Sequence, residues 1–149
     1  MDWCFPASGG RGNGPPAREV READAVVSAT PQYNGGLSSV MKAVIENLEQ
    51  LAGKPVALLG VAAGAIGAIK SLEMLRGIAS HVGVVVLPQA VSIAGVQNKV
   101  SADGQVLDAA TEQSVRSFAT NLVRYLEEAV RPKHELASRG QAAAIAAAN

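Results

Sequence analysis

"AVVSATPQYNGGLSSVMKAVIENLEQLAGKPVALLGVA", residues 25–62, decides how this chain folds. It opens on a short run, Ala25 to Thr30, rich enough in β-branched residues for a buried strand. Leu37, Val40, Met41, Val44, Ile45, Leu48 and Leu51 then recur at helical spacing, and Gly53 closes that helix. Lys54-Pro55 leads into a second apolar run that ends at Ala62. A strand, a helix and a strand in that order predict a parallel βαβ unit, because parallel neighbours need a crossover between them.

The alternation continues outward. "GAIGAIKSLEMLRGIASHVG", residues 64–83, predicts a second helix, with Ile66, Ile69, Leu72, Leu75 and Ile78 on or near one face. "VVVLP", residues 84–88, predicts a third strand, followed by a loop over 88–99 and a tight turn at Asp103-Gly104. Residues 108–130 predict a final helix, capped by Asp108 or Thr111, with Val115, Phe118, Leu122, Val123 and Leu126 as its buried stripe. Upstream, Pro15-Pro16 suit the first turn of a short helix. Three largely apolar strands between amphipathic helices imply an α/β fold whose parallel sheet is covered on both faces. The domain so defined runs over 17–131, after an irregular Gly/Pro-rich leader (1–16) and before an alanine-rich tail (132–149) expected to be frayed or disordered, at most transiently helical.

Bulk properties exclude some functions. At 149 residues the chain is long enough for one domain with a real core, and 3% aromatic content leaves packing to small aliphatics. A formal net charge of zero argues against a nucleic-acid or membrane-surface footprint, both of which need clustered positive charge. The longest uncharged apolar stretch, Pro55 to Ile69, falls short of the roughly 20 residues that cross a bilayer, and no basic, then apolar, leader marks a secretory signal. A single cysteine, Cys4, has no partner for an intrachain disulfide, in keeping with a reducing cytoplasm.

Ligands of parallel sheets bind beyond the carboxyl ends of the strands, which directs attention to residues 30–36, 62–67 and 88–99. In the first of these, Pro31 restricts one dihedral and Gly35-Gly36 let the backbone turn. Asn34 tolerates left-handed geometry, and Tyr33 offers a flat surface with a polar tip. Two readings stand side by side: a ligand loop, and an ordinary turn with Tyr33 as a lid on the core. Gly64 and Gly67 open a helix directly after a strand, but their spacing is not that of a dinucleotide fingerprint, and close helix–sheet packing explains Gly67 as well. His81 and His134 lack partners at metal-ligand spacing, and Ser38, Ser39 and Ser92 lack a nucleophile-elbow context. Glu19, Glu22 and Asp24 read as a solvated helix face and its end. "SGGRGNG", residues 8–14, follows no strand and reads as flexible leader.

The order of residues from about Arg18 to Val130 resembles the NADPH-dependent FMN reductase family of flavodoxin-like oxidoreductases, which includes quinone, azo-dye and chromate reductases. The resemblance is carried by P-x-Y-N-G after a strand, then a helix, then "GKPVAL" and a Gly-containing loop. It implies a three-layer αβα fold whose strands here match the third, fourth and fifth of the family. The family's first two strands, its Ser-rich phosphate loop and the helix between them have no counterpart in residues 1–16, so the expectation is a partial domain with an unpaired edge on the strand 25–30 that binds FMN poorly or not at all. It also implies an FMN ring resting against Pro31, Gln32, Tyr33, Asn34 and Gly35, with Ala62, Ala63 and Gly64 closing the other side through their backbone. Gln32 stands where the family more commonly has glutamate, and Ala62-Ala63 where a Ser-Gly type pair is usual. NADPH or NADH would reduce the flavin, which would pass electrons to a small-molecule acceptor, with no catalytic side chain and no metal required. The helix from Leu37 to Leu51 would join a homodimer or homotetramer. The alternative is a non-catalytic module, or a gene fragment, associating through its open sheet edge and that helix.

Overall fold

The computed structural model describes residues 15–46 and 51–147. Cys4, Leu48, residues 8–14 and most of the expected leader therefore lie outside the described residues. In chain order the elements are α1 (Pro15–Glu22), β1 (Val26–Tyr33), β2 (Gly36–Leu37), α2 (Ser39–Glu46), β3 (Pro55–Ala62), α3 (Ile69–His81), β4 (Val85–Val86), β5 (Val91–Ala94), α4 (Ala109–Tyr125) and α5 (Arg131–Ala147).

The predicted βαβ core is present. β1 and β3 run parallel in a register from Val26↔Val56 to Pro31↔Val61. β3 is the centre of the sheet. Its first residues pair with β4 and its last four with β5, so β4 and β5 are two pieces of one edge strand broken between Leu87 and Ala90. Gln89 adopts φ +65° in that break, and its side-chain oxygen accepts a hydrogen bond from Asn121 of α4. β5 was expected to be loop, because a four-residue strand between Pro88 and Gly95 leaves too little period to read.

Alternation along β3 sends its side chains into two cores. Val56 and Leu58 face Ile45, Leu51, Leu72, Leu75 and Ala79, a cluster closed by α2 and α3 and by Val20 of α1. Ala57 and Leu59 face Leu87 and Phe118, with Leu122 and Tyr125 of α4 packed beside them. The layers are thus α1–α3, sheet, and α4. α3 buries Ser71, Leu72, Leu75 and Ala79; Ile66, expected on its apolar face, is exposed because it precedes the helix, which begins at Ile69, and Ile69 itself faces outward at 48% exposure. Val40 and Val123 are likewise exposed rather than core.

Polar contacts fix the joints. The Lys54 ammonium donates to the carbonyls of Arg21 (2.9 Å) and Ala23 (2.7 Å), supplying partners at the C-terminal end of α1. The Asp108 carboxylate caps α4, accepting from the Thr111 amide at 2.8 Å and hydroxyl at 2.6 Å. Those bonds, with Lys99 nearby, hold the Asp108 carboxyl below its ordinary range. The turn at Asp103-Gly104 forms as expected, closed by Gly104 N to Ser101 O at 3.0 Å.

The tail departs from expectation. Residues 131–147 are helical, joined to α4 through a π-type segment, Leu126–Val130. Pro132 accounts for the widening: it has no N–H to bond back and its ring crowds the carbonyl four residues earlier, Glu128. Through residue 141 this helix is exposed, and His134 meets Asp24 at 3.6 Å across the surface.

Candidate functional site

Local sequence builds the first wall. β1 does not stop at Thr30 but runs on through Pro31, Gln32 and Tyr33, then folds back on β2 as an antiparallel hairpin pairing Gln32↔Leu37 and Tyr33↔Gly36. The turn is Asn34-Gly35, with φ +49° and +73°. Positive φ at both central residues is the geometry that Asn-Gly favours in two-residue hairpins. The expected strand-to-helix loop is therefore a hairpin, and the Asn-Gly pair was the signal for it. Pro31 is tolerated because no strand lies along the free edge of β1 at that point among the described residues.

The second wall follows from register. Pro31 pairs with Val61, so the hairpin and the loop after Ala62 leave the sheet side by side. Ala62 is buried, while Ala63 and Gly64 are exposed. A Cβ added to Gly64 would meet nothing within 4 Å, so space is open above this loop. The Ala63 carbonyl accepts from Gln97 Nε2 at 3.2 Å, and the Gly64 carbonyl from the Gly95 amide at 3.2 Å. These bonds tie the loop to the turn after β5. Tyr33 stands 65% exposed at the hairpin tip, so its ring covers no core and is free to meet a ligand.

Both walls converge on the start of α3. The first amides of a helix have no acceptor within it, and the residue preceding α3, Ala68, has no side chain to cap them. Two strands supply the caps instead. Ser92 Oγ of β5 accepts from the Ala68 amide at 2.8 Å, and Gln32 Oε1 of β1 accepts from the Ser71 amide at 3.1 Å. Gly67 is required here, since a Cβ would come within 2.5 Å of Ser92 Oγ. Ser71 and Gln97 are positions that sequence reading missed, and Ser92 was weighed there only as a nucleophile, not as a cap. A strand read at "VSIA" would have placed Ser92 inside the sheet beside β3, facing the start of the helix that follows it.

Of the residues named from the sequence, Pro31, Gln32, Tyr33, Asn34, Gly35, Ala62, Ala63 and Gly64 all sit at the carboxyl ends of two adjacent strands. Lys70 brings a cation to this edge, its Cδ 3.7 Å from where a Gly35 Cβ would be. His81 and His134 lie elsewhere, at the far end of α3 and on α5. A cavity of about 270 Å³ lined by Ala57, Leu87, Gln89, Phe118, Leu122 and Tyr125 lies between α4 and the break in the edge strand; it touches the stretch 88–99 at Pro88 and Gln89 but none of these eight residues. Among the described residues no group of three His, Cys, Asp or Glu could hold a metal ion, and no helix is long and apolar enough to cross a membrane.

A mostly parallel sheet between helical layers, with open loops at the ends of adjacent strands, is a flavodoxin-like α/β architecture. The model of one family, NADPH-dependent FMN reductase, matches residues 15–99, more than half of the sequence, and the chain belongs to that family. An NAD(P)H-dependent FMN reductase of Pseudomonas aeruginosa is 35% identical over 105 residues, 63% of this chain and 57% of the relative. A quinone reductase of Escherichia coli strain K12 is 35% identical over 102 residues, 64% of this chain and 54% of the relative. The matched segment thus spans little more than half the length of these curated relatives. Among solved structures, the flavoenzyme FerB of Paracoccus denitrificans, an NAD(P)H:(acceptor) oxidoreductase, superposes with a TM-score of 0.63 at 27% identity, over 78% of this chain and 70% of that one.

Proposed function

We propose that this chain is an NAD(P)H-dependent FMN oxidoreductase of the FMN or quinone reductase type. The observation that carries the reading is the pairing of Pro31 with Val61, which sets the Tyr33–Gly35 hairpin beside the open backbone of Ala63-Gly64. The residues suit a flat, polar-edged ring. Tyr33 and Asn34 offer a face and an amide, and the space above Gly64 lets a ring lie close to the main chain. When bound, FMN would supply the hydride chemistry, accepting from NADPH or NADH and passing electrons to a small acceptor. The protein's own part is to orient the ring and keep its surroundings rigid. Pro31, Gln32, Tyr33, Asn34 and Gly35 would hold one side and Ala62, Ala63 and Gly64 the other. No side chain of this set needs to move a proton.

The same reading carries a homodimer or homotetramer assembled through α2, whose Val40 is 55% exposed, and a cytoplasmic setting, where nicotinamide nucleotides are supplied. Titration of FMN with the protein tests the core of it. Saturable quenching of flavin fluorescence, weakened in Tyr33→Ala and in Gly64→Val, is the expected outcome, together with NADPH oxidation in the presence of a quinone. Flavin fluorescence unchanged throughout the titration would overturn the proposal.

A further inference from the structure

Gln32 does more than line the hairpin. The β1–β2 ladder contains only two residue pairs, too few to hold a hairpin in place unaided. What fixes it is α3, which lies against β2. Lys70 runs over Gly35, and Met74, one turn further along, reaches to 3.6 Å from where a Gly36 Cβ would stand. These contacts are made by long, flexible side chains and give little direction. The Gln32 Oε1 to Ser71 N bond, at 3.1 Å, is directional, and it joins residues 39 apart in sequence. It joins Ser71 of α3, which is 0% exposed, to Gln32, two residues along β1 from Thr30 at 2%. The donor is a buried helix-start amide with no acceptor inside its own helix, so the bond is costly to lose.

We infer that Gln32 is a positioning residue: its carboxamide oxygen, held by the Ser71 amide, fixes the Tyr33-Asn34-Gly35 turn against α3. A carboxylate could accept the same bond and would be favoured by the helix dipole. It would also place a negative charge beside the ring. The neutral amide therefore delivers the clamp without opposing the extra electron density of a reduced flavin. This second half rests on the flavin reading proposed above.

The test compares wild type, Gln32→Leu and Gln32→Glu. Amide hydrogen exchange is followed at residues 33–37 and 71 without flavin, and the FMN affinity and midpoint potential are then measured. In Gln32→Leu the protection of these amides should fall about tenfold, the usual scale for one lost hydrogen bond, and FMN affinity should fall with it. Gln32→Glu should restore the protection while making the flavin potential more negative than in wild type. Unchanged protection in Gln32→Leu overturns the inference, and so does a Gln32→Glu variant that fails to restore it. If Gln32→Leu does not fold, the Gln32→Glu comparison still decides, because it keeps the acceptor and changes only the charge. Lost protection in a protein whose wild type binds no flavin leaves the clamp standing and overturns the flavin reading alone. An unshifted potential in Gln32→Glu overturns the electrostatic half.

Discussion

The two faces of the sheet are finished differently. On one, α1, α2 and α3 enclose Leu58 and Leu75, each 1% exposed, with Thr30 and Ser71 sealed beside them. On the other, among the described residues, α4 seats Phe118 over Ala57 and Leu87, and Val27 of β1 is left 47% exposed. Val56 and Ala57 are neighbours in one strand, so the contrast arises from what covers each face, not from composition. The closed face carries the start of α3, on which the hairpin, the loop after β3 and the end of β5 all depend. A candidate site built from short loops needs that rigid backing, because loops bring few buried contacts of their own.

Removing a large core side chain from each face gives the strongest test of this contrast. Leu58→Ala should cost about 2–5 kcal/mol in urea denaturation, the usual range for a fully buried leucine. Phe118→Ala, on the partly open face, should cost less than Leu58→Ala despite the larger side chain, because water can enter the space it leaves. Equal losses would break the comparison.

Glycines sharpen it further. A Cβ at Gly60 would lie 2.6 Å from the Ala68 Cβ and 2.9 Å from Leu72 Cγ, so β3 and α3 approach too closely for a methyl group. Gly60→Ala should destabilise by about 1–3 kcal/mol, as overpacking does. Gly64→Ala, with open space above it, should stay within about 0.5 kcal/mol. Thermal melts of the two variants give the difference directly.

The joints are next in size. Ser92→Ala leaves the amide of Ala68, a residue 0% exposed, without its acceptor and should cost about 1 kcal/mol, with increased exchange at the first turn of α3.

The smallest effect belongs to the open face. Thr111's hydroxyl and amide, then Lys99, lower the Asp108 pKa from its ordinary 3.8, so the folded protein binds that proton less readily than the unfolded chain. The stabilisation is complete above about pH 4 and is lost as pH falls through the folded value. The difference in Tm between wild type and Asp108→Asn should therefore narrow as the buffer is taken from about pH 5 to about pH 3. A difference that widens on acidification would show that another group governs the acid limb.

How far the sequence alone reached varies along the chain. The βαβ order was legible because β1, α2, β3, α3 and α4 each carry a local pattern of apolar residues, and Asp108 was one of two residues that could cap α4, a choice the structure made. The hairpin is signalled by Asn34-Gly35, but β2 is only two residues long and runs straight into the helical period of α2, so the stretch carries no strand pattern of its own. β4 and β5 were illegible as one broken strand because two and four residues are too short for a period. α5 was not legible because its alanine repeats carry high helix propensity without an apolar face, and only continuation from α4 places it.

The eight flavin-facing candidates could be named from the order of residues, since strand ends and their turns are local features. That they form one edge depended on the register of β1 against β3, which no local pattern encodes. The roles of Gln32 and Ser92 were decided by tertiary structure alone. Their partners, Ser71 and Ala68, lie 39 and 24 residues away, and a helix-start amide is satisfied by whichever side chain the fold brings to it.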